Sequence, residues 1–453
     1  MTGPRKLKFL IIVVCMSAAA HGETIWKAGF AQVKVTPEQP VQMAGYAARM
    51  KPFARVEADI FVKAMALEDS AGTRIVIVTG DIAGFRADAA KLICDSAKRQ
   101  HGLERRQILL FASHSHAGPL LKLDQRNATD KKLREQSIAY TRWFIEQTVR
   151  AMGLAIKDLS PAKLSRGDGV ALFVMNRRQV LDNGRIVLGN NPRGLVDRSV
   201  PVLRVDGADG KLRGVLFGTA CHATTLGGRN LDLSGEYPGF AKDYIQKQHP
   251  QATAMFMAGC GGDANPYPRG TLENAKAHGA SLGAEVCRVL KQKLMPINGK
   301  LNIAHERVDL PLAPPPSSEQ LAKLAKSRGG WRPWVARQMQ VILHERGSLP
   351  TKYTAPFTVL QFGDDLTLVA LSGEVVVDYV PLLINRLGHR RLWIAAYCND
   401  TFGYLPSTRV LKEGGYETRG LIHGSIGFFS DKAQDVVLDG ITRLAKQAGR
   451  ETN

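Results

Sequence analysis

Seven short, mostly apolar runs punctuate the chain, at 75–78, 108–111, 215–217, 254–257, 357–362, 366–371 and 392–396. Runs this short and this poor in alternating polar residues predict strands covered on both faces. Between several of them the apolar spacing changes to that of a helix. One such stretch, 87–100, stops before Gly102; a second carries Ile145, Val149, Met152 and Ile156; a third carries Leu282, Val286, Val289 and Leu290. Strands alternating with helices predict an α/β architecture.

Two segments depart from this rhythm. At 310–348, Pro311, Pro314, Pro315 and Pro316 lead into a basic stretch with Trp331, Pro333 and Trp334, which reads as an insertion within one domain spanning 23–453. Its tryptophans are expected to pack the insertion onto the body; the other reading places them at a substrate entrance or on a membrane surface. At the start, Arg5, Lys6 and Lys8 precede an apolar run at 9–15 and then Ser17, Ala18, Ala19 and Ala20. This is the pattern of a secretory signal peptide, expected at 1–22, and it predicts a periplasmic or secreted protein. The run is shorter than the ~20 residues of a membrane-spanning helix.

Composition narrows the class. With 44% hydrophobic and 23% charged residues in 453, the chain is not of a disordered type. Its formal charge of +20 falls to +17 without the first 22 residues. So basic a chain either meets an anionic membrane or cell-envelope surface or is simply soluble, and for an exported protein nucleic acid is not expected. Cys94, Cys221, Cys260, Cys287 and Cys398 remain after the signal, form no Cys-x-x-Cys pair, and allow one disulfide at most.

Chemistry-bearing residues repeatedly follow the apolar runs. Asp81, the pair His114 and His116, His222, Asp263, Glu374 and Asn399 each stand just beyond one. Ligands gather at the carboxyl ends of strands in sheets with crossover helices, so these side chains are candidates to converge. Histidines and carboxylates together suit a catalytic zinc with an open position for water. Each also has a structural alternative, such as a turn cap for Asp81 or a loop hydrogen bond for the histidines.

His114-Ser115-His116-Ala117-Gly118-Pro119 resembles the His-x-His-x-Gly-Pro signature of the neutral/alkaline non-lysosomal ceramidases, which are zinc amidases. Met43-Ala44-Gly45-Tyr46, Asn176-Arg177, His222-Ala223-Thr224, Gly262-Asp263, Ser372-Gly373-Glu374, Asn399 to Tyr404 and Tyr416-Glu417 resemble further motifs of that family in the same order. The resemblance implies mixed β-sheets flanked by helices. It also implies that His114, His222, Glu374 and Tyr404 hold the zinc, with His116 and Arg177 facing the substrate. Asp263 joins His116, Arg177 and Asn265 as a candidate catalytic residue.

Two departures qualify the match. Asn265 stands where the family has a serine, and an amide can donate a hydrogen bond but cannot accept an acyl group as a nucleophile. The chain is also expected to lack the family's C-terminal β-sandwich domain, because it ends soon after Tyr416. The expected function is therefore zinc-dependent hydrolysis of an amide, on a small-molecule or lipid-like N-acyl substrate resembling ceramide, by activated water. His116, Arg177 and Asn265 would orient the substrate or steady the oxyanion, and His116 would return the proton to the leaving amine. One alternative gives the same centre an N-acyl amino sugar, glycoconjugate or ester; another is a non-catalytic binder of anionic surface polymers.

Overall fold

The computed structural model of the protein describes residues 26–46, 49–124, 130–327, 332–421 and 427–451. The expected signal peptide and Trp331 lie outside these described residues. Every one of the seven apolar runs is a strand: Arg74–Gly80, Ile108–Ala112, Leu212–Thr219, Thr253–Ala258, Lys352–Phe362, Leu366–Ala370 and Leu392–Ala395. Their near-continuous apolarity has a simple cause, since both faces are covered. In Ile108–Ala112, for example, Ile108 and Leu110 pack towards helices while Leu109 and Phe111 pack towards a second sheet.

The larger sheet runs in the order Thr253–Ala258, Leu212–Thr219, Ser199–Gly207, Ser160–Val170, Trp26–Lys34, Phe61–Asp69, Arg74–Gly80, Ile108–Ala112, with Met295–Ile297 pairing to the side of Ser160–Val170. Its middle is antiparallel, and the outermost pair at each end is parallel. The smaller sheet is formed by Leu301–Pro311, Lys352–Phe362, Leu366–Ala370 and Leu392–Ala395. Trp26, Met65, Phe111, Met257, Phe362 and Trp393 are among the side chains buried between the two sheets.

Helices close both outer faces. Ala87–His101 and Lys131–Lys157 cover one part of the larger sheet, and Glu236–Gln248 and Leu272–Leu290 another. Tyr379–Leu387 and Ala433–Gln447 pack on the smaller sheet. The result is the expected mixed α/β architecture, with layers ordered helix, sheet, sheet, helix.

The two edge strands of the larger sheet are joined by the backbone that leaves Leu392–Ala395. Ala396 N–H donates to Ala258 O (2.9 Å) on one edge, and Asn399 N–H donates to Leu110 O (2.7 Å) on the other. Carboxyl ends of strands from distant parts of the sequence thus meet around one short segment. Buried Lys63 ties another pair of distant strands, donating from Phe61–Asp69 to Ala254 O (2.9 Å) and to Gln246.

The stretch expected as an insertion links two strands that pair over eleven residues each, Leu301–Pro311 and Lys352–Phe362. It folds as two helices, Ser318–Lys326 and Arg332–Arg346, the first started by a capping box on Ser317 and Gln320. Leu321, Val335, Ala336, Met339 and Leu349 make a small core of their own, with Phe428 against it. The expectation that Trp334 packs inward is overturned. Val335, Ala336 and Met339 take the inner face of the helix, and Trp334, on the opposite face, stays 42% exposed. The five cysteines among the described residues are free and buried. Among the described residues no helix is long and apolar enough to cross a membrane.

Candidate active site

Three strand ends bring His114, His222 and Glu374 together. His114 follows Ile108–Ala112 with φ 57°, a left-handed turn uncommon for a side-chain-bearing residue. His222 follows Leu212–Thr219. Glu374 opens a two-residue parallel pairing with Tyr404 as its direct partner, which sets the carboxylate and the phenol side by side. Gly373 makes this possible, because its φ is 85° and a Cβ there would lie 2.6 Å from the Phe402 ring.

The hydrogen-bonding groups leave a clear electrostatic demand. His222 Nδ1 lies 2.7 Å from Gly261 O, a carbonyl that only accepts, so Nδ1 carries the proton and Nε2 presents a bare lone pair. That lone pair faces Glu374 Oε2 at 3.1 Å. His114 repeats the arrangement, with Nδ1 2.6 Å from Ala83 O and Nε2 3.3 Å from the same Oε2. A doubly protonated imidazole would satisfy both sides of His222, but burial, reinforced by Arg177, pushes its pKa down to about 3. Burial raises the Glu374 pKa, and the positive charge that a protonated His114 or His222 would place beside it holds its carboxyl well below the usual range; with the Nε2 lone pairs bare, that charge has to come from elsewhere. An ionised carboxylate and a lone pair pointing at one another call for a cation between them.

His116 joins this cluster. Its Nε2 is 3.0 Å from His114 Nε2, and ring nitrogens of His114, His116 and His222 all fall within 4.8 Å of one another, a group able to hold a metal ion. Its buried Nδ1 has no hydrogen-bond partner among the described residues. Burial, with His114 and His222 alongside, holds its pKa well below that of an ordinary histidine. Gly45 supports the ring from behind. With φ 104°, it approaches so closely that a Cβ would lie 2.4 Å from His116 Nδ1. Tyr46 meets the same ring edge-on at 5.1 Å.

Arg177, Tyr404 and Asn265 form the adjoining wall. Arg177 Nη2 donates to Tyr404 Oη (2.9 Å), Nη1 to Asn265 Oδ1 (3.4 Å), and Nε to Glu417 Oε1 (2.9 Å). Burial opposes the guanidinium charge, but Tyr404 and Glu417 outweigh it and raise the Arg177 pKa well above its usual value. Burial also raises the Tyr404 phenol well above its ordinary value, with Arg177 opposing. Thr224 Oγ1 donates to Asn265 Oδ1 as well (3.0 Å), so the amide oxygen is occupied and Nδ2 is the group left to donate elsewhere.

Asp263 stands behind this wall. It is fully buried, accepting from Val377 N–H (2.8 Å) and Asn176 Nδ2 (3.3 Å), while its backbone oxygen accepts from Arg177 N–H (2.9 Å). Burial raises its pKa to about 6 despite the Val377 donor. These contacts make it a positioning residue for the strand that carries Arg177.

Two strand-end residues do not reach the site. Asp81 pairs with the buried Lys242 and accepts from Phe61 N–H (3.0 Å) at the start of a neighbouring strand, a structural role other than the expected turn cap. Asn399 spends its side-chain oxygen on Leu110 N–H (3.1 Å), holding the edge strand. Three site residues had no assigned role in the sequence. Tyr397, with φ 56°, brings its ring 4.5 Å from His114 and its hydroxyl 3.5 Å from His222 Nδ1. Thr224 fixes Asn265, and Glu417 clamps Arg177 and Arg178 at 2.9 and 2.7 Å. Thr224 and Glu417 lay inside the quoted motifs; Tyr397 lay at the end of an apolar run, two residues before Asn399.

Fold and site together define a mixed α/β protein whose sheets carry a buried, metal-capable centre of histidines and a carboxylate at their strand ends. The chain belongs to the neutral/alkaline non-lysosomal ceramidase family, whose N-terminal region matches residues 26–306. It is similar to the neutral ceramidase of Pseudomonas aeruginosa, with 23% identity over 239 residues, a match covering 51% of this chain and 35% of that protein. The match thus spans about a third of that relative's length. A crystal structure of neutral ceramidase from Pseudomonas aeruginosa shares the fold at a TM-score of 0.73 and 19% identity, covering 94% of this chain and 75% of the other. A structure of a ceramidase complexed with C2 gives 0.72 and 17%, covering 95% and 77%.

Proposed function

We propose that this protein is an exported, zinc-dependent amidohydrolase that cleaves the amide bond of a ceramide-like N-acyl substrate. The observation that carries the proposal is the meeting of His114 Nε2 and His222 Nε2 at Glu374 Oε2, with no proton available to His222 Nε2. Nitrogen and oxygen donors of this kind suit zinc, and Tyr404, paired with Glu374, completes the set. When bound, zinc supplies Lewis acidity and brings the pKa of water towards neutrality. Membership of a ceramidase family supports the amide substrate, and the 1–22 leader pattern supports export.

The chain's own groups have distinct tasks in this reading. Arg177, held by Glu417, braces the Tyr404 phenol and the Asn265 amide. Asn265 Nδ2 donates to the developing oxyanion. Since an amide side chain takes no acyl group, water attacks the carbonyl directly. His116, which burial keeps unprotonated at rest, takes a proton from the attacking water and passes it to the leaving amine.

A second reading keeps the centre and gives it an N-acyl amino sugar, a glycoconjugate or an ester; Asn265 at the family's serine position favours it. Hydrolysis rates of the purified protein on a short-chain N-acyl sphingosine, an N-acyl amino sugar and a simple ester separate the two. Preference for the sphingosine amide is expected. Failure to cleave any amide overturns the amidase assignment.

A further inference from the structure

The outer face of helix Arg332–Arg346 has no partner among the described residues that explains its composition. Trp334, Arg337 and Val341, spaced by three and four, form one stripe opposite the buried Val335, Ala336 and Met339. Trp334 and Val341 are 42% and 49% exposed. From 318 to 346 the sequence has six Lys and Arg residues against two acids, Glu319 and Glu345. Lys323 and Lys326 on the neighbouring helix and Arg337 within the stripe are exposed, and Arg337 donates to Ala325 O across the pair (3.1 Å); Arg332, also exposed, lines the cavity on the inner side.

We infer that the helix pair Ser318–Lys326 and Arg332–Arg346 is a docking surface for a lipid bilayer bearing anionic headgroups. An indole and a valine held in water by a rigid helix gain from entering the headgroup–acyl boundary, and basic side chains beside them complement anionic headgroups. A soluble polyanion would use the charges alone and leave Trp334 and Val341 in water. Their exposure favours the bilayer.

The inner side of the helix pair is linked to the site through one turn. On the inner side of the same helices Leu321, Val335, Met339 and Phe428 line a cavity of about 360 Å³ that reaches Thr418. Thr418 ends the turn that holds Glu417 on Arg177, and Tyr416 in that turn lies 5.5 Å from Tyr404. The inference extends the amidase reading, but binding to vesicles is measured without turnover, so the two fail separately.

The test is co-sedimentation of the purified protein with vesicles of phosphatidylcholine alone and of phosphatidylcholine mixed with phosphatidylglycerol. Wild type is expected to bind the mixed vesicles, and Trp334→Ser with Val341→Ser to weaken that binding by about ten-fold or more at an unchanged melting temperature. Arg337→Glu should weaken it and flatten its salt dependence. Absence of wild-type binding to mixed vesicles, or equal binding by the Trp334 and Val341 variant, overturns the inference. Tight binding to heparin as a soluble polyanion, with vesicle binding indifferent to Trp334, overturns it in favour of a polymer.

Discussion

His222 and Glu374, 152 residues apart, meet with Nε2 3.1 Å from Oε2, while the other nitrogen of the same ring is held at 2.7 Å by Gly261 O. A neutral imidazole has one N–H and here faces two acceptors. This relationship makes the pair a cation site rather than an ordinary hydrogen bond, and the neighbouring residues can be tested against it.

Glu417 neutralises two buried guanidinium groups, Arg177 and Arg178, at 2.9 and 2.7 Å. Glu417→Gln leaves both under-compensated in the interior. Chemical denaturation should show a loss of about 3–5 kcal/mol. A loss below about 1 kcal/mol would mean that the clamp is not the main restraint on Arg177.

Gly45 is the support beneath His116. Gly45→Ala places a methyl where the imidazole lies and meets an unfavourable φ of 104°. Displacing His116 by even about 1 Å should lower turnover by about 10²-fold. Unaltered turnover would show that His116 needs no such placement.

Lys63 supplies a pH signature away from the centre. Burial, aided by Lys242 and opposed by Asp81, pushes its pKa down to about 7, against about 10.4 in an unfolded chain. Between these values the unfolded chain binds a proton that the native protein does not, so stability rises with pH. Lys63→Met should remove that rise. The unfolding free energy of wild type minus that of the variant is expected to grow by about 2 kcal/mol from about pH 7 to about pH 9. A flat difference would place Lys63 in the protonated form throughout.

Much of this was legible in the sequence, for physical reasons. The apolar runs were readable because their strands are covered on both faces, so even Leu110 and Phe111, which point in opposite directions, are both apolar. His114, His222 and Glu374 were readable because strand ends are where such chemistry collects. Asp81 and Asn399 shared that position but serve as acceptors for backbone N–H groups of other strands, and position alone does not separate the two uses. Lys63, Tyr397 and Glu417 depend on partners up to 240 residues away, which no local pattern carries. Trp334 was misread because an aromatic residue normally gains from burial, whereas here the helix turns it outward.

The central claim is that His114, His222 and Glu374 hold zinc. The most direct measurement is the zinc content of the purified protein by mass spectrometry of the element, for wild type and for His114→Ala, His222→Ala and Glu374→Ala. Wild type should carry stoichiometric zinc, and each variant should lose most of it while staying folded by circular dichroism. Zinc content unchanged in all three variants would contradict the assignment.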